Sequence, residues 1–331
     1  MKHTVLGVIA ALAFTLAGTA ASAETLRVTL QLQDTHPIGQ NWLEFIDIVE
    51  EKSGGDLDVQ LFPSAQLFKD KEVPGAVGSG AVDAGSAFIG RYAGSVPAVD
   101  VISIPFMFSN EAHIRAALAP GSELRAILDA AILKETNNRV LWWQASGRNI
   151  YLNNGSAITV PGDIADQKVR TYGKVQGWTI QALGGAPTLM SGSKQFLAYQ
   201  QGAVDVGMTG AAAVKSRKLF EVMDHMTLTF DSAIEFVAVI NNDIYEALSD
   251  ENKAIIDAAA LEVEAKLRDE IYAAEAASVE DVKSEMTVVE LTEEQRALWA
   301  TATASVVDRF VEETGDSGAA AVGAVRAAMS N

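Results

Sequence analysis

Four segments decide the fold: Gly147-Arg148-Asn149-Ile150-Tyr151, Pro161-Gly162-Asp163-Ile164, Lys168-Val169-Arg170-Thr171, and Gly202-Ala203-Val204-Asp205-Val206-Gly207-Met208-Thr209-Gly210. Lys168 to Tyr172 is short, contains Val and Thr, follows a Pro-Gly-Asp turn and precedes Gly173, which reads as a strand feeding a helix. Arg170 then stands near the strand's carboxyl end. In open α/β sheets the ligand crevice lies beyond those ends, and a guanidinium placed there offers a planar fork matched to a carboxylate. The other reading open at this point is a surface cation paired with a local carboxylate.

The string Gly-Ala-Val-Asp-x-Gly in the last segment also occurs at Gly80 to Gly85. Both copies follow a helical stretch and enter an apolar strand, so the chain reads as two similar α/β lobes with the same helix-to-strand corner. Val82 and Val204 would point into the sheets, and Asp83 and Asp205 are turn or cap residues. Before the first copy, Thr25 to Leu32 reads as a strand. Pro37 opens a helix that puts Trp42, Phe45, Ile46 and Val49 on one face. Leu57 to Phe62 is a second strand, and strands alternating with helices imply parallel-sheet units. Arg139 to Ala145 is a strand whose Trp142 and Trp143 must face opposite sides, so at most one sees a cleft. Ile234 to Ile240 is another. Ser249 begins a long helix running towards Lys283, and Thr292-Glu293-Glu294-Gln295 is a capping box for a further helix ended by Gly315.

A chain of 331 residues, 49% hydrophobic, allows two domains with substantial cores. Met1 to Ala23 holds Lys2, an apolar run from Val5 to about Gly18 and the ending Ala21-Ser22-Ala23, which reads as a secretory signal peptide cleaved after Ala23. The run is shorter than the roughly 20 residues of a spanning helix. Cysteine is absent, which removes disulfides, thiolate nucleophiles and cysteine metal sites. The formal charge of −18 becomes −19 once Lys2 is removed, and this argues against nucleic acid or an anionic membrane as partner. An acidic protein that binds an anion must concentrate positive charge locally, and Arg148 and Arg170 are best placed to do so. The histidines left after cleavage, His36, His113 and His225, lack ligand spacing, so no metal site is expected, and no cofactor motif occurs. His36 reads as a loop or cap residue near the cleft, beside the loop Gln31 to Thr35.

Further short strings lie in order along the chain: His36-Pro37, Ser53-Gly54-Gly55, Phe62-Pro63-Ser64-Ala65-Gln66-Leu67, Ile104-Pro105-Phe106, Leu183-Gly184-Gly185-Ala186-Pro187 and Gln201-Gly202-Ala203-Val204-Asp205. With the segments above, they make His36 to about Leu248 resemble the dicarboxylate-type solute-binding proteins of TRAP (tripartite ATP-independent periplasmic) transporters. The resemblance implies a two-lobe Venus-flytrap fold with discontinuous domains and a long bracing C-terminal helix. The expected lobes are 24–145 with about 234–273, and 146–233 with about 274–331 including the C-terminal helices. The implied function is capture of a small organic anion between the lobes by a monomeric periplasmic protein, not an enzyme, that delivers it to TRAP-type integral membrane subunits. Arg170 matches the family's principal carboxylate-binding arginine, and Arg148 matches an assisting one. Gln33, His36, Phe88, Trp143, Met190, Gly192 and Thr209 complete the expected site. Thr209 stands where family members commonly have asparagine, and Gly192 where they often have an aromatic residue. Both differences lean towards a larger or flatter acid, with Trp142 or Trp143, Phe88 and Tyr151 available to stack on a ring. Two alternatives remain at this point: an exported enzyme on the same scaffold, or a binding protein serving an ATP-driven importer or a chemoreceptor.

Overall fold

The computed structural model describes residues 23–330. Strands β1 (Glu24–Leu30), β2 (Leu57–Phe62) and β3 (Ala84–Phe88) are interleaved with helices α1 (Pro37–Ser53) and α2 (Val73–Gly78). Helices α3 (Glu111–Ala117) and α4 (Glu123–Thr136) lead into the 16-residue strand β4 (Asn138–Asn153). The pattern restarts with β5 (Lys168–Thr171), α5 (Lys174–Ala182), β6 (Ala186–Leu189), α6 (Gln195–Gln200), β7 (Val206–Gly210) and α7 (Ala211–Ser216). Next come β8 (His225–Leu228), β9 (Ala233–Asn241), α8 (Asn242–Ala247) and the 33-residue α9 (Asp250–Val282). The chain ends with β10 (Thr287–Glu290), α10 (Glu293–Thr303) and α11 (Ser305–Ala328).

The strands run β2-β1-β3-β9-β4-β7-β5-β6, with β8 on the far edge of the second half of β4 and β10 beyond it. The two halves repeat one plan. In each, a central strand (β1 or β5) has parallel neighbours on both sides, and an antiparallel strand (β9 or β4) follows the inner neighbour. The repeated Asp performs the same task twice. Asp83 Oδ2 accepts the Arg27 N–H at 2.7 Å, and Asp205 Oδ2 accepts the Lys168 N–H at 2.8 Å. Each carboxylate thereby satisfies a backbone donor of the central strand close to where the neighbouring parallel strand begins to pair. The two-lobe expectation rested on this corner, and the sheet topology carries it.

Strand β4 serves both halves. Asn138 to Ala145 pairs with β9, a register shift follows, and Asn149 to Asn153 pairs with β7. The shift falls at Gly147, whose φ of +85° is costly for any side chain, and a Cβ there would lie 2.7 Å from the Glu275 carboxylate. Side-chain alternation holds on the first half: Trp142 packs with Trp42 and Phe45 on one face, and Trp143 enters the core on the other. A polar chain locks the first face: Trp42 Nε1 donates to Ser86 Oγ at 2.6 Å, and Trp142 Nε1 to Asn41 Oδ1 at 2.8 Å. Asn41 Nδ2 in turn donates to the Val263 carbonyl of α9 at 2.8 Å.

Helix α9 runs unbroken through residue 273 and packs on α1, β4 and α7, so it braces both halves. Its Glu264, Arg268 and Glu275 are buried. Arg268 holds Glu235 of β9 through two bonds of 2.6 and 3.0 Å. Glu264 accepts the Trp143 N–H at 3.1 Å and pairs with Arg125. Removing one member of such a pair costs about 3–5 kcal/mol, because its partner is left buried and charged. Thr292 caps α10 with Gln295 as expected. Gly315, with φ +61° and ψ −144°, interrupts the helical run as expected, and a second helical run follows it directly, so α11 is two helices joined across a kink. Helix α11 packs mainly on the 3-10 segment Pro97–Ser103, α4 and α5. Its Phe310, Val322 and Val325 share a core cluster with first-half residues such as Ile102 and Leu128 and with Val175 and Trp178 of α5.

Candidate functional site

Where the two halves meet, a cavity offers about 50 Å³ to the centres of water molecules. The first half contributes Gln31, Leu32, His36, Asp70, Phe88 and Arg91. The second contributes Arg170, Tyr172, Gly192, Thr209, Ala213 and Arg217, while Ser146, Ile234 and Phe236 come from the crossing strands. Five polar lining residues sit at or just past the carboxyl end of a strand, Gln31 after β1, Arg91 after β3, Arg170 and Tyr172 at β5, and Thr209 on β7, while His36, Asp70, Ser146 and Arg217 come from elsewhere. That is the crevice rule for α/β sheets applied once in each lobe.

Arg170 is buried, and its Nε and Nη2 donate to the Met190 carbonyl at 3.1 and 2.9 Å. Nη1 donates to the Met208 carbonyl. These acceptors are neutral, so they orient the fork without cancelling its charge, and one N–H on each terminal nitrogen remains for a ligand. Burial lowers the guanidinium's pKa. Met190 therefore takes part through its backbone, as the residue that aims Arg170.

His36 caps α1: its Nδ1 accepts the Ile38 N–H at 3.1 Å. That bond puts the ring proton on Nε2, a donor facing the cavity. Burial, assisted by the Arg217 charge, pushes the imidazole pKa down to about 3, so the ring is neutral. Asp70 accepts the Phe88 N–H at 3.1 Å through Oδ1 and pairs through Oδ2 with Arg91. Among the described lining residues Asp70 is the one carboxylate, set against the guanidinium groups of Arg91, Arg170 and Arg217. Arg217 is fixed by Gln195 at 2.6 Å, and burial, reinforced by the Arg170 charge, pushes it down to about 10.

Of the residues expected from sequence, the fold brings together Arg170, His36, Phe88, Gly192 and Thr209 at the cavity wall, with Met190 behind Arg170. Three do not join them. Arg148 follows the β4 irregularity and turns to α9: its Nε and Nη2 donate to Glu275 at 3.0 and 2.6 Å, and it lies 3.8 Å from the centre of the Phe230 ring. Trp143 is fully buried, with Nε1 donating to Asp129 at 2.8 Å. Gln33 is exposed, and Gln31, two residues earlier, lines the cavity in its place. Tyr151 is also core, packed on Trp299. Gly192 frees no room for a flatter acid, because an added Cβ would meet the Arg217 guanidinium at 2.5 Å.

Sequence reasoning missed Gln31, Asp70, Arg91, Tyr172 and Arg217. Arg91, three residues beyond the end of β3, was within reach of the strand-end rule that found Arg170. Arg217 carries no such signal, since it follows a six-residue helix and reaches the cavity only through the fold.

Residues 29–314 match the model of the family described as bacterial extracellular solute-binding protein, family 7. A relative described as a solute-binding protein from Verminephrobacter eiseniae is 30% identical over 245 residues, which is 73% of this chain and 72% of that one. A TRAP periplasmic solute-binding protein from Roseobacter denitrificans, solved with bound β-D-glucuronate, superposes with a TM-score of 0.85 at 27% identity, covering 92% of this chain and 99% of that one. Another from a Polaromonas species, bound to D-erythronate, gives a TM-score of 0.84 at 26% identity, covering 92% and 98%.

Proposed function

The chain belongs to bacterial extracellular solute-binding protein family 7, and on that premise we propose that it captures a small organic acid in the interlobe cavity and delivers it to the membrane subunits of a TRAP transporter. The observation that carries this reading is the imbalance of charge in the cavity. Arg91, Arg170 and Arg217 face a single carboxylate, Asp70, at a site walled by both lobes. Burying guanidinium charge without a counter-ion is costly, and an organic anion removes that cost on binding. Arg170 is the principal carboxylate anchor, Arg148 holds α9 to the crossing strand, and His36 Nε2 and Thr209 supply neutral hydrogen bonds. The related proteins solved with glucuronate and erythronate hold hydroxylated acids, which supports the same chemical class here.

The lobes in this reading are roughly 24–145 and 146–233, hinged on β4 and β9 and braced by α9, with α11 assigned to the first lobe. The protein acts as a receptor: the cavity's arginines are suited to holding an anion and supply no nucleophile. The signal segment read at the N-terminus and ending at Ala23 supports a periplasmic location; its residues 1–22 lie outside the described part of the structure. A thermal-shift panel of carboxylates and sulfonates on the ligand-free mature protein tests the reading. Stabilisation by at least one small acid is expected, and a folded protein that responds to none of them overturns it.

A further inference from the structure

Building on that organic-acid reading, we propose that Asp231 is a positioning residue for the cavity: acting through Asn149, it fixes the Tyr172 ring as the wall beside Arg170 and so ties ligand affinity to the segment that leads into the crossing strand β9.

The chain of contacts starts in the cavity. Tyr172 lines it, with the Arg170 guanidinium carbon 5.4 Å from the ring centre and the Phe88 ring of the first half in edge contact at 5.1 Å. Tyr172 thus meets both the carboxylate anchor and the opposing lobe. Its buried hydroxyl donates to Asn149 Oδ1 at 3.1 Å. Asn149 Nδ2 donates in turn to Asp231 Oδ1 at 2.9 Å, and the Tyr151 hydroxyl donates to Asp231 Oδ2 at 3.4 Å. Asp231 lies in segment 229–232, which joins β8 to β9. Backbone bonds stitch that segment to the same asparagine: the Asn149 N–H donates to the Ser232 carbonyl and the Phe230 N–H to the Asn149 carbonyl, both at 2.9 Å. From the first half, the Phe106 N–H donates to the Asp231 carbonyl at 2.6 Å. Phe230 has φ +45°, a left-handed conformation that a side chain disfavours, so these contacts hold the segment in a shape it would not keep alone.

Charge singles out residue 231. Asp231 is buried, and the cation acting on it, Arg296, directs its donors to the Thr229 and Phe230 carbonyls. Desolvation pushes the carboxyl up to about 6, against the pull of the Asn149 and Tyr151 hydrogen bonds, so it is ionised at neutral pH. An amide of the same shape would avoid the cost of burying that charge. What an ionised carboxylate adds is direction, because it only accepts. Facing it, Asn149 must present Nδ2, which turns Oδ1 to Tyr172 and makes the tyrosine hydroxyl the donor. Each group then has one arrangement, and the ring is held at one angle beside Arg170. A neutral group at 231 lets the Asn149 amide turn over and loosens the ring.

The full mature protein is titrated by calorimetry with succinate, D-erythronate, D-glucuronate and pyroglutamate. For an acid that binds the parent, Asp231→Asn should weaken affinity about 5- to 10-fold, the scale of one hydrogen bond, and Tyr172→Phe, which removes only the hydroxyl, should do the same. Added to Tyr172→Phe, Asp231→Asn should weaken binding by less than about twofold more, because no hydroxyl is left to orient. Asn149→Asp sets one carboxylate against another and should weaken binding at least about 10-fold. Combining Asn149→Asp with Asp231→Asn restores both links at the same total charge, with the amide now donating from the other side, and should bind within about threefold of the parent. Parental affinity in a folded Asp231→Asn, an equal loss with and without the Tyr172 hydroxyl, or an exchange that recovers the melting temperature but not the affinity overturns the positioning role while acid capture stands. Should Asn149→Asp or the exchange not fold, the cycle of Asp231→Asn and Tyr172→Phe decides alone. If the folded parent binds none of the four acids, the organic-acid reading falls and the positioning role with it.

Discussion

Arg170→Gln removes the fork on which capture depends, and its cost can be worked out from the contacts. The guanidinium has five N–H donors; three are used on the Met190 and Met208 carbonyls, leaving one on each terminal nitrogen for a bidentate bond to a carboxylate. The glutamine amide carries no charge and is too short to reach the same point, so the ligand's carboxylate would be buried unpaired. That costs about 3–5 kcal/mol, or roughly 150-fold to 4,000-fold in dissociation constant. Arg170→Lys restores charge as a single point without the planar fork and should recover only part of the loss. Without ligand the sign reverses. The parental cation is desolvated and unpaired, so Arg170→Gln should melt no lower than the parent. Arg148→Lys supplies the contrast: with its guanidinium committed to Glu275, it should lower stability by about 1–3 kcal/mol and leave affinity within about threefold. Titration calorimetry and thermal melts on all four proteins decide the matter. Parental affinity in Arg170→Gln together with lost binding in Arg148→Lys would refute the assignment of the anchor.

Asp100 is buried with Oδ1 unpartnered, and desolvation pushes its carboxyl up to about 7, against an opposing pull from Lys174 and Arg91. Its folded pKa lies above the unfolded value, so this residue's contribution makes stability fall as pH rises from about 4 to about 7 and then level off; Asp100→Asn should remove that slope and stabilise the protein at pH 8 by up to about 4 kcal/mol, read by urea unfolding at several pH values. Closure on the β4 and β9 hinge should reduce the radius of gyration when a saturating acid is added, and superimposable scattering curves with a confirmed ligand would exclude that motion. Cleavage after Ala23 should give a mature chain beginning at Glu24 when intact mass is measured on a periplasmic fraction; a chain that retains Met1 there would count against the proposed signal.

Local rules made much of this molecule legible. The alternation of strands and helices, the opposite faces of Trp142 and Trp143, and the repeated Asp83 and Asp205 corner all depend on residues close in sequence, and each appears as read. Arg170 was found because the carboxyl end of a strand is a definite place in an α/β sheet. What escaped depends on distant partners. The direction of Arg148 is set by Glu275, 127 residues away, and by a register shift that no periodicity reveals. Gly192 read as empty space because its filler, Arg217, lies across the lobe on another helix end. Gln31 and Gln33 are separable only once the loop after β1 is built, since both belong to one polar stretch.

A small organic acid held between the lobes with a carboxylate on Arg170 should be visible in a crystal structure of the mature protein with its tightest-binding acid. The acid's carboxylate is expected at about 3 Å from both terminal nitrogens of Arg170, with Arg148 still on Glu275. An acid bound outside this cavity, or one held by Arg148 with Arg170 untouched, would contradict it.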